Sequence, residues 1–373
     1  MNQVSYDFVD SKLKQKDMTL AQANLKLGTS LLDGTNHPSC ISPASIYLAM
    51  LMTYVGAAEA TKQEFEDVLG MSEAHLDEAK KLHEEKGIKI ANRLYGSPKL
   101  ACEKSFQETL LQTFAAELQQ VDFTKPETVK DINKWVSDKT ENRINELISQ
   151  GSLNATTMLL LVNALYLKVS WSKAFQKSNT KDLPFKGAKG MSQRSTVSIP
   201  TMFGRQSAGL EQDDLFTKVT LDLKEDMMFT VFMPEAFESY KLKETDLAPV
   251  MPRASVDLYL PKFKITPDTL SLREALIKLG LKTAFDLPAG SANFSKMGKV
   301  SDGYLAISDV SHKTFIELDE VGVEAAAATA VHMLYRSCCI ITEIPVVKID
   351  KPFYYSIQKR NGPVLFMGAF DIV

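Results

Sequence analysis

No stretch of this 373-residue chain is apolar for long enough to cross a membrane as a helix. The longest apolar run, Met158 to Leu167, is broken by Asn163 and closed by Lys168, well short of the roughly 20 residues a span needs. There is no basic excess: 43 Lys and Arg stand against 46 Asp and Glu, a net charge of −3, so no nucleic-acid partner is expected. Cysteine is scarce. Four in so long a chain make no disulfide framework, and the adjacent Cys338 and Cys339 suit neither mutual pairing nor a C-x-x-C zinc or redox motif. All four read as thiols, Cys40 as a small buried hydrophobe and Cys338 and Cys339 as oxidisable groups. The amino terminus, M-N-Q-V-S-Y-D-F-V-D, has no apolar h-region. That leaves a cytoplasmic chain, or a secreted one whose leader is missing. Two triplets, Asn154-Ala-Thr and Asn293-Phe-Ser, lean towards export as glycosylation acceptors, although such triplets also arise by chance.

Catalytic signatures are missing as well. There is no G-x-S-x-G elbow, no G-x-x-x-x-G-K-[ST] loop, no G-x-G-x-x-G and no H-E-x-x-H, so neither an enzyme, a metal nor a cofactor is expected. The five His residues are scattered. His75 and His83 fall in a helix that reads as solvated, at a spacing that is not the i, i+4 of a helical metal pair. His312, in a strand, suits a satisfied core position better than a catalytic one.

What is present describes an ordinary globule, 45% apolar and 24% charged. The spacing predicts helices over Asp7 to Lys26 (apolar stripe Phe8, Leu13, Leu25), Ser42 to Val55, Ala60 to Leu69, Glu73 to Glu85, Phe106 to Phe114, Val129 to Ile148 and Leu270 to Leu279. Ser42 is placed as the cap of the second, with Pro43 in its first turn. Strands are predicted over Ile88 to Tyr95, Phe216 to Leu223, Met227 to Pro234, Ser255 to Ile265 and Ala306 to Leu318. Met158 to Trp171 reads as a strand buried on both faces. Its polar Asn163 must find partners, because an unsatisfied buried amide costs roughly 1–3 kcal/mol. Asn361-Gly362 marks a hairpin between the last two strands.

One stretch fits none of these patterns: Asp319 to Cys339, D-E-V-G-V-E-A-A-A-A-T-A-V-H-M-L-Y-R-S-C-C. Ala325 to Ala328 could form a short helix, slip between strands at little cost in rotamer entropy, or serve as a plain surface linker.

The flanks of that stretch carry a resemblance. Glu320-Val321-Gly322-Val323-Glu324-Ala325-Ala326-Ala327-Ala328-Thr329 closely resembles the hinge of the serpins, protease inhibitors whose exposed reactive loop inserts into their main sheet after cleavage. Ser39-Cys40-Ile41-Ser42-Pro43-Ala44-Ser45-Ile46, Asn163-Ala164-Leu165-Tyr166-Leu167-Lys168 with Trp171, Leu260-Pro261-Lys262-Phe263-Lys264-Ile265 and the carboxy-terminal strand pair are similar to segments of the same family, so the resemblance spans nearly the whole chain. It implies a single serpin domain of α+β class over residues 1–373, with three β-sheets, about eight or nine helices and an exposed reactive-centre loop over about 320–340. Counting from Glu320, the seventeenth residue is Arg336, and the reactive bond is implied between Arg336 and Ser337. The resemblance further implies a buried shutter of Ser42, Ser45, Asn163 and His312, and a breach of Trp171, Lys262 and Glu320 where the loop enters, beginning at Val323. The less favoured reading of Trp171 is plain core. The implied activity is suicide inhibition of a trypsin-like serine protease through a covalent complex, by a monomer that polymerises if destabilised. The alternative is a non-inhibitory serpin acting as a chaperone, carrier or storage protein, against which the all-small hinge argues. Met71 to Gly87, where many serpins carry a cationic heparin-binding helix, is short here, which argues against glycosaminoglycan activation.

Overall fold

The computed structural model describes residues 18–32, 39–83, 88–189, 194–301, 303–323 and 343–372. Among them the chain forms seven α-helices, slightly fewer than expected. Helix α1 (Leu20–Leu32) overlaps the first expected helix, whose residues 7–17 lie outside the described ones, and Thr19 caps it. Thr19 Oγ1 accepts the Gln22 N–H at 3.3 Å and Gln22 Oε1 accepts the Thr19 N–H at 2.9 Å, a reciprocal box. Its buried stripe is Leu20, Ala23, Leu27 and Leu31, with Leu25 only half-buried; Phe8 and Leu13 lie outside the described residues. After β1 (Ser39–Ile41), α2 (Pro43–Tyr54) starts as expected, Ser42 Oγ accepting the Ser45 N–H. Every residue of α2 is buried, as a helix apolar on all sides requires.

Helix α3 (Glu59–Leu69) ends on left-handed Gly70. Helix α4 (His75–His83) departs from the solvated reading, since His75, Ala79 and Leu82 are buried. The His75 ring meets the Tyr47 hydroxyl through Nδ1 and the Met18 carbonyl through Nε2, both at 2.8 Å. Strands β2 (Ile88–Gly96) and β3 (Leu100–Cys102), helix α5 (Lys104–Phe114), strand β4 (Leu118–Gln120) and helix α6 (Pro126–Lys139) follow. Helix α6 stops at Lys139 and does not reach Ile148, because Thr140 Oγ1 turns back to the Val136 carbonyl and Glu141 and Asn142 take left-handed φ of 50° and 61°.

Strand β5 (Leu159–Leu167) is buried along its length, and exposed Lys168 separates it from β6 (Val169–Ser170). Then come β7 (Lys181–Lys189) and β8 (Arg194–Gln212), neither of which the sequence pattern announced, β9 (Phe216–Asp222), β10 (Met227–Pro234), β11 (Ala254–Pro261) and β12 (Phe263–Ile265). The expected strand over Ser255 to Ile265 is thus cut at Lys262, whose N–H goes to the Pro200 carbonyl at 2.8 Å. Leu270–Ser271 form strand β13 and only Arg273–Leu279 the helix, α7, which ends on Gly280 at φ 115°. The remaining strands are β14 (Gly298–Val300), β15 (Asp309–Thr314), β16 (Ile316–Leu318), β17 (Gly322–Val323), β18 (Val346–Lys348), β19 (Phe353–Lys359) and β20 (Val364–Phe370). The hairpin between β19 and β20 turns through Asn361 at φ 57°.

The chain divides into two compact units. The first holds all seven helices, the five-stranded sheet β13-β15-β5-β2-β4 and the ribbon β14-β3. In it β15 runs parallel to β5 with His312 opposite Asn163. The second holds the nine-stranded sheet β1-β20-β19-β10-β9-β8-β11-β18, with β7 on β8, and the four-stranded sheet β12-β16-β17-β6.

Candidate functional site

In the first unit, four polar side chains meet in an otherwise apolar interior. Asn163, on β5, is fully buried, and its Nδ2 lies 2.6 Å from the Ser45 carbonyl, 2.7 Å from Ser45 Oγ and within bonding distance of Asn92 Oδ1. Its Oδ1 meets His312 Nδ1. On the other side of the ring, His312 Nε2 accepts the Ser42 N–H at 3.1 Å. Because Nε2 accepts, the proton of the neutral ring sits on Nδ1 and is donated to Asn163. Burial pushes the His312 pKa down to about 3, so the ring stays neutral. The Ser42 hydroxyl does not reach Asn163; it caps α2, and only the Ser42 backbone joins the cluster. Asn92, on β2, was missed by the sequence reading although it holds both Ser45 and Asn163. A signal was there, since Asn92 shares the phase of Ile88, Ile90 and Leu94 in an alternating strand.

In the second unit, Glu320 is 3% exposed yet ionised. Burial alone would raise its carboxyl pKa; the Thr180 hydroxyl at 2.7 Å and the Lys262 ammonium at 2.9 Å outweigh burial and hold it below the ordinary value. Thr180 was not anticipated. Trp171, 2% exposed, donates Nε1–H to the Asp319 carbonyl at 2.8 Å and packs edge-on against Phe175 and Phe229, so it is both core and binding partner to the turn. Asp319 makes that turn: its Oδ1 accepts the N–H groups of Val321 at 2.8 Å and Gly322 at 3.1 Å. Gly322 has φ 151°, and a Cβ there would lie 2.4 Å from the Val169 carbonyl oxygen and 2.5 Å from Ser170 Cα, so only glycine fits.

The turn delivers Val323 into the sheet. Strand β17 pairs antiparallel with β16 (Val323 to Leu318) and with β6 (Gly322 to Ser170, Val323 to Val169), and Val323 is 1% exposed. Val323, the residue at which entry was expected to begin, is already paired on both sides. Glu324 to Thr329, Arg336, Ser337, Cys338 and Cys339 lie outside the described residues. Cys40 is a buried thiol and Cys102 a half-buried one, neither in a disulfide. Among the described residues no helix is long and apolar enough to cross a membrane, and no cluster of His, Cys, Asp and Glu could hold a metal.

The serpin (serine protease inhibitor) family profile matches residues 22–371. The chain is 32% identical to serpin B6 of Macaca fascicularis, over 94% of this chain and 99% of that protein. It is 30% identical to the leukocyte elastase inhibitor of Equus caballus, over 89% of this chain and 92% of that one. Among solved structures, the highly specific Serpin48 of the insect Tenebrio molitor superposes with a TM-score of 0.83 at 25% identity, covering 94% of this chain and 97% of that one.

Proposed function

The chain belongs to the serpin family of serine protease inhibitors and is not an enzyme; from that premise we propose that it is a suicide substrate for a trypsin-like protease, cut between Arg336 and Ser337. The reading rests above all on β17. Gly322 and Val323 already stand as a strand between β16 and β6, so the residues that follow have a ladder to extend. In the chain β6 follows β5 and β16 follows β15, each after one residue. An advancing loop would part the parallel β5–β15 pair and replace one parallel ladder by two antiparallel ones, the stronger pairing per residue.

The protease Ser attacks the Arg336 carbonyl, the bond to Ser337 breaks, the new amino terminus leaves with the proton, and an acyl-enzyme remains. Water then competes with insertion. If residues beyond Val323 enter the sheet first, the acyl-enzyme is carried off and distorted; if water wins, active protease and a cut loop are released. The shutter of Ser42, Ser45, Asn163 and His312, with Asn92, holds the pair that must part, and Glu320, Lys262 and Trp171 hold the breach where entry begins. The whole chain acts as one serpin domain. Target choice follows the residue at the bond, so the elastase preference in one relative's name does not carry over to a chain with Arg336 there.

The test is incubation with trypsin followed by a denaturing gel and amino-terminal sequencing of the released fragment. An SDS-resistant adduct and a fragment beginning at Ser337 are expected. Release beginning at Cys338 or Tyr335 moves the bond, and complete cleavage without adduct favours a non-inhibitory serpin.

A further inference from the structure

The strand that receives the hinge is itself held from behind. Along its edge away from β17, the segment Ser170 to Ser172 is bonded to the β9–β10 turn: Ser172 N–H donates to the Asp222 carbonyl at 3.0 Å, Lys224 N–H to the Ser170 carbonyl at 2.8 Å and Ser172 Oγ to the Leu223 carbonyl at 3.0 Å, and Trp171 bridges to Leu223. The Asp222 carboxylate sits at the base of that turn between two guanidinium groups. Arg253 grips it with Nη2 on Oδ1 at 2.7 Å and Nε on Oδ2 at 3.2 Å, and Arg360 adds Nη2 on Oδ1 at 3.0 Å. Arg360 closes the far end of the turn through Nε on Asp226 Oδ1 and its own N–H on the Asp226 carbonyl, both at 2.9 Å. The Arg253 approach is built into the sheet: a Cβ on Gly209 of β8 would lie 2.0 Å from the Val250 carbonyl oxygen and 2.7 Å from Arg253 Nη1. Two segments distant in sequence thus converge on one carboxylate, and the strand they brace through the turn is the one β17 pairs with.

We propose that Asp222 is a positioning residue for loop insertion, resting on the reading above: clamped by Arg253 and Arg360, it keeps the β9–β10 turn, and through it β6 and Trp171, rigid. A rigid β6 raises the cost of parting β5, which precedes it in the chain, from β15, so insertion without cleavage is slowed. Arg–carboxylate forks suit this task because they fix direction as well as distance. Asp222→Asn keeps the shape and loses the charge; Arg253→Gln removes the fork.

The test needs no protease. Chains are incubated a few degrees below the melting temperature, and the fraction that becomes resistant to a urea concentration unfolding the native form is followed with time. Asp222→Asn and Arg253→Gln should convert about tenfold faster than the parent, equivalent to about 1.4 kcal/mol. Thr230→Val, which removes the 3.1 Å Thr220–Thr230 hydroxyl contact in the same sheet, serves as the control. It should lower the melting temperature yet convert at the parental rate. Conversion of Asp222→Asn at the parental rate overturns the proposal, as does equal acceleration by Thr230→Val. Failure of the parent to form an adduct with trypsin would instead count against the inhibitor reading, which this assay does not touch.

Discussion

In water an imidazole takes up a proton near pH 6.5, but in the fold His312 holds off until about 3, because the charged ring would lose its water and gain no acceptor beyond Asn163. The unfolded chain therefore binds a proton across that interval that the folded chain refuses, and stability falls as pH drops from about 6.5 towards 3, by up to about 1.4 kcal/mol per unit. Glu320 works in a lower window. Its folded pKa is depressed, so its contribution is complete above the unfolded value of about 4.3 and disappears as pH falls through the folded one. Urea midpoints measured from pH 7 to pH 3 should separate the two. His312→Gln should flatten the slope between pH 6.5 and 4.5, and Glu320→Gln only the part below 4.5. A His312→Gln profile parallel to the parent would place the sensitivity elsewhere. Asn163 could be read ahead of the fold because a polar group in an apolar run needs partners, whereas His312 as its partner came only from the serpin resemblance. The exact donors could not: Ser42 contributes its backbone and not its hydroxyl, and Thr180 reaches Glu320 from a segment with no pattern of its own.

At the scale of elements, helix starts marked by local chemistry were legible: Ser42 with Pro43 for α2, and Asn361-Gly362 for the last hairpin. Helix α6 was drawn too long because apolar spacing continues past Lys139 while the backbone turns off at Thr140. Val323 shows what register adds. Val323 points inward, so alternation along a strand continuing β17 would turn Ala325 and Ala327 inward and Glu324 and Ala326 outward. Ala325→Glu would have to bury an unpartnered charge, costing far more than one strand hydrogen bond returns, whereas Ala326→Glu would meet solvent. Ala325→Glu, which adds no trypsin site, should therefore be cut by trypsin at a parental rate but release active enzyme, and Ala326→Glu should keep a stoichiometry of inhibition close to the parent's. Equal trapping by both variants would show that the register does not continue from Val323.

For the whole molecule, insertion predicts that a cut chain is more stable than an intact one. Each residue newly paired on both sides adds hydrogen bonds worth about 0.5–1.5 kcal/mol net apiece, so cleavage by a protease that attacks the loop without being trapped should raise the melting temperature by many degrees in calorimetry. A cut chain melting at or below the intact one would mean that no strand enters. By itself the sequence determined the α+β class, the apolar central strand with its one amide, and the small-residue stretch after Glu320, since burial, periodicity and side-chain size are local properties written residue by residue. Tertiary structure alone decided that Ser255 to Ile265 serves two sheets, that His75 is buried, that Asn92 completes the polar cluster and that Asp222 gathers two arginines. Such contacts join residues far apart in the chain, and their energies depend on which backbone groups the rest of the fold has already satisfied.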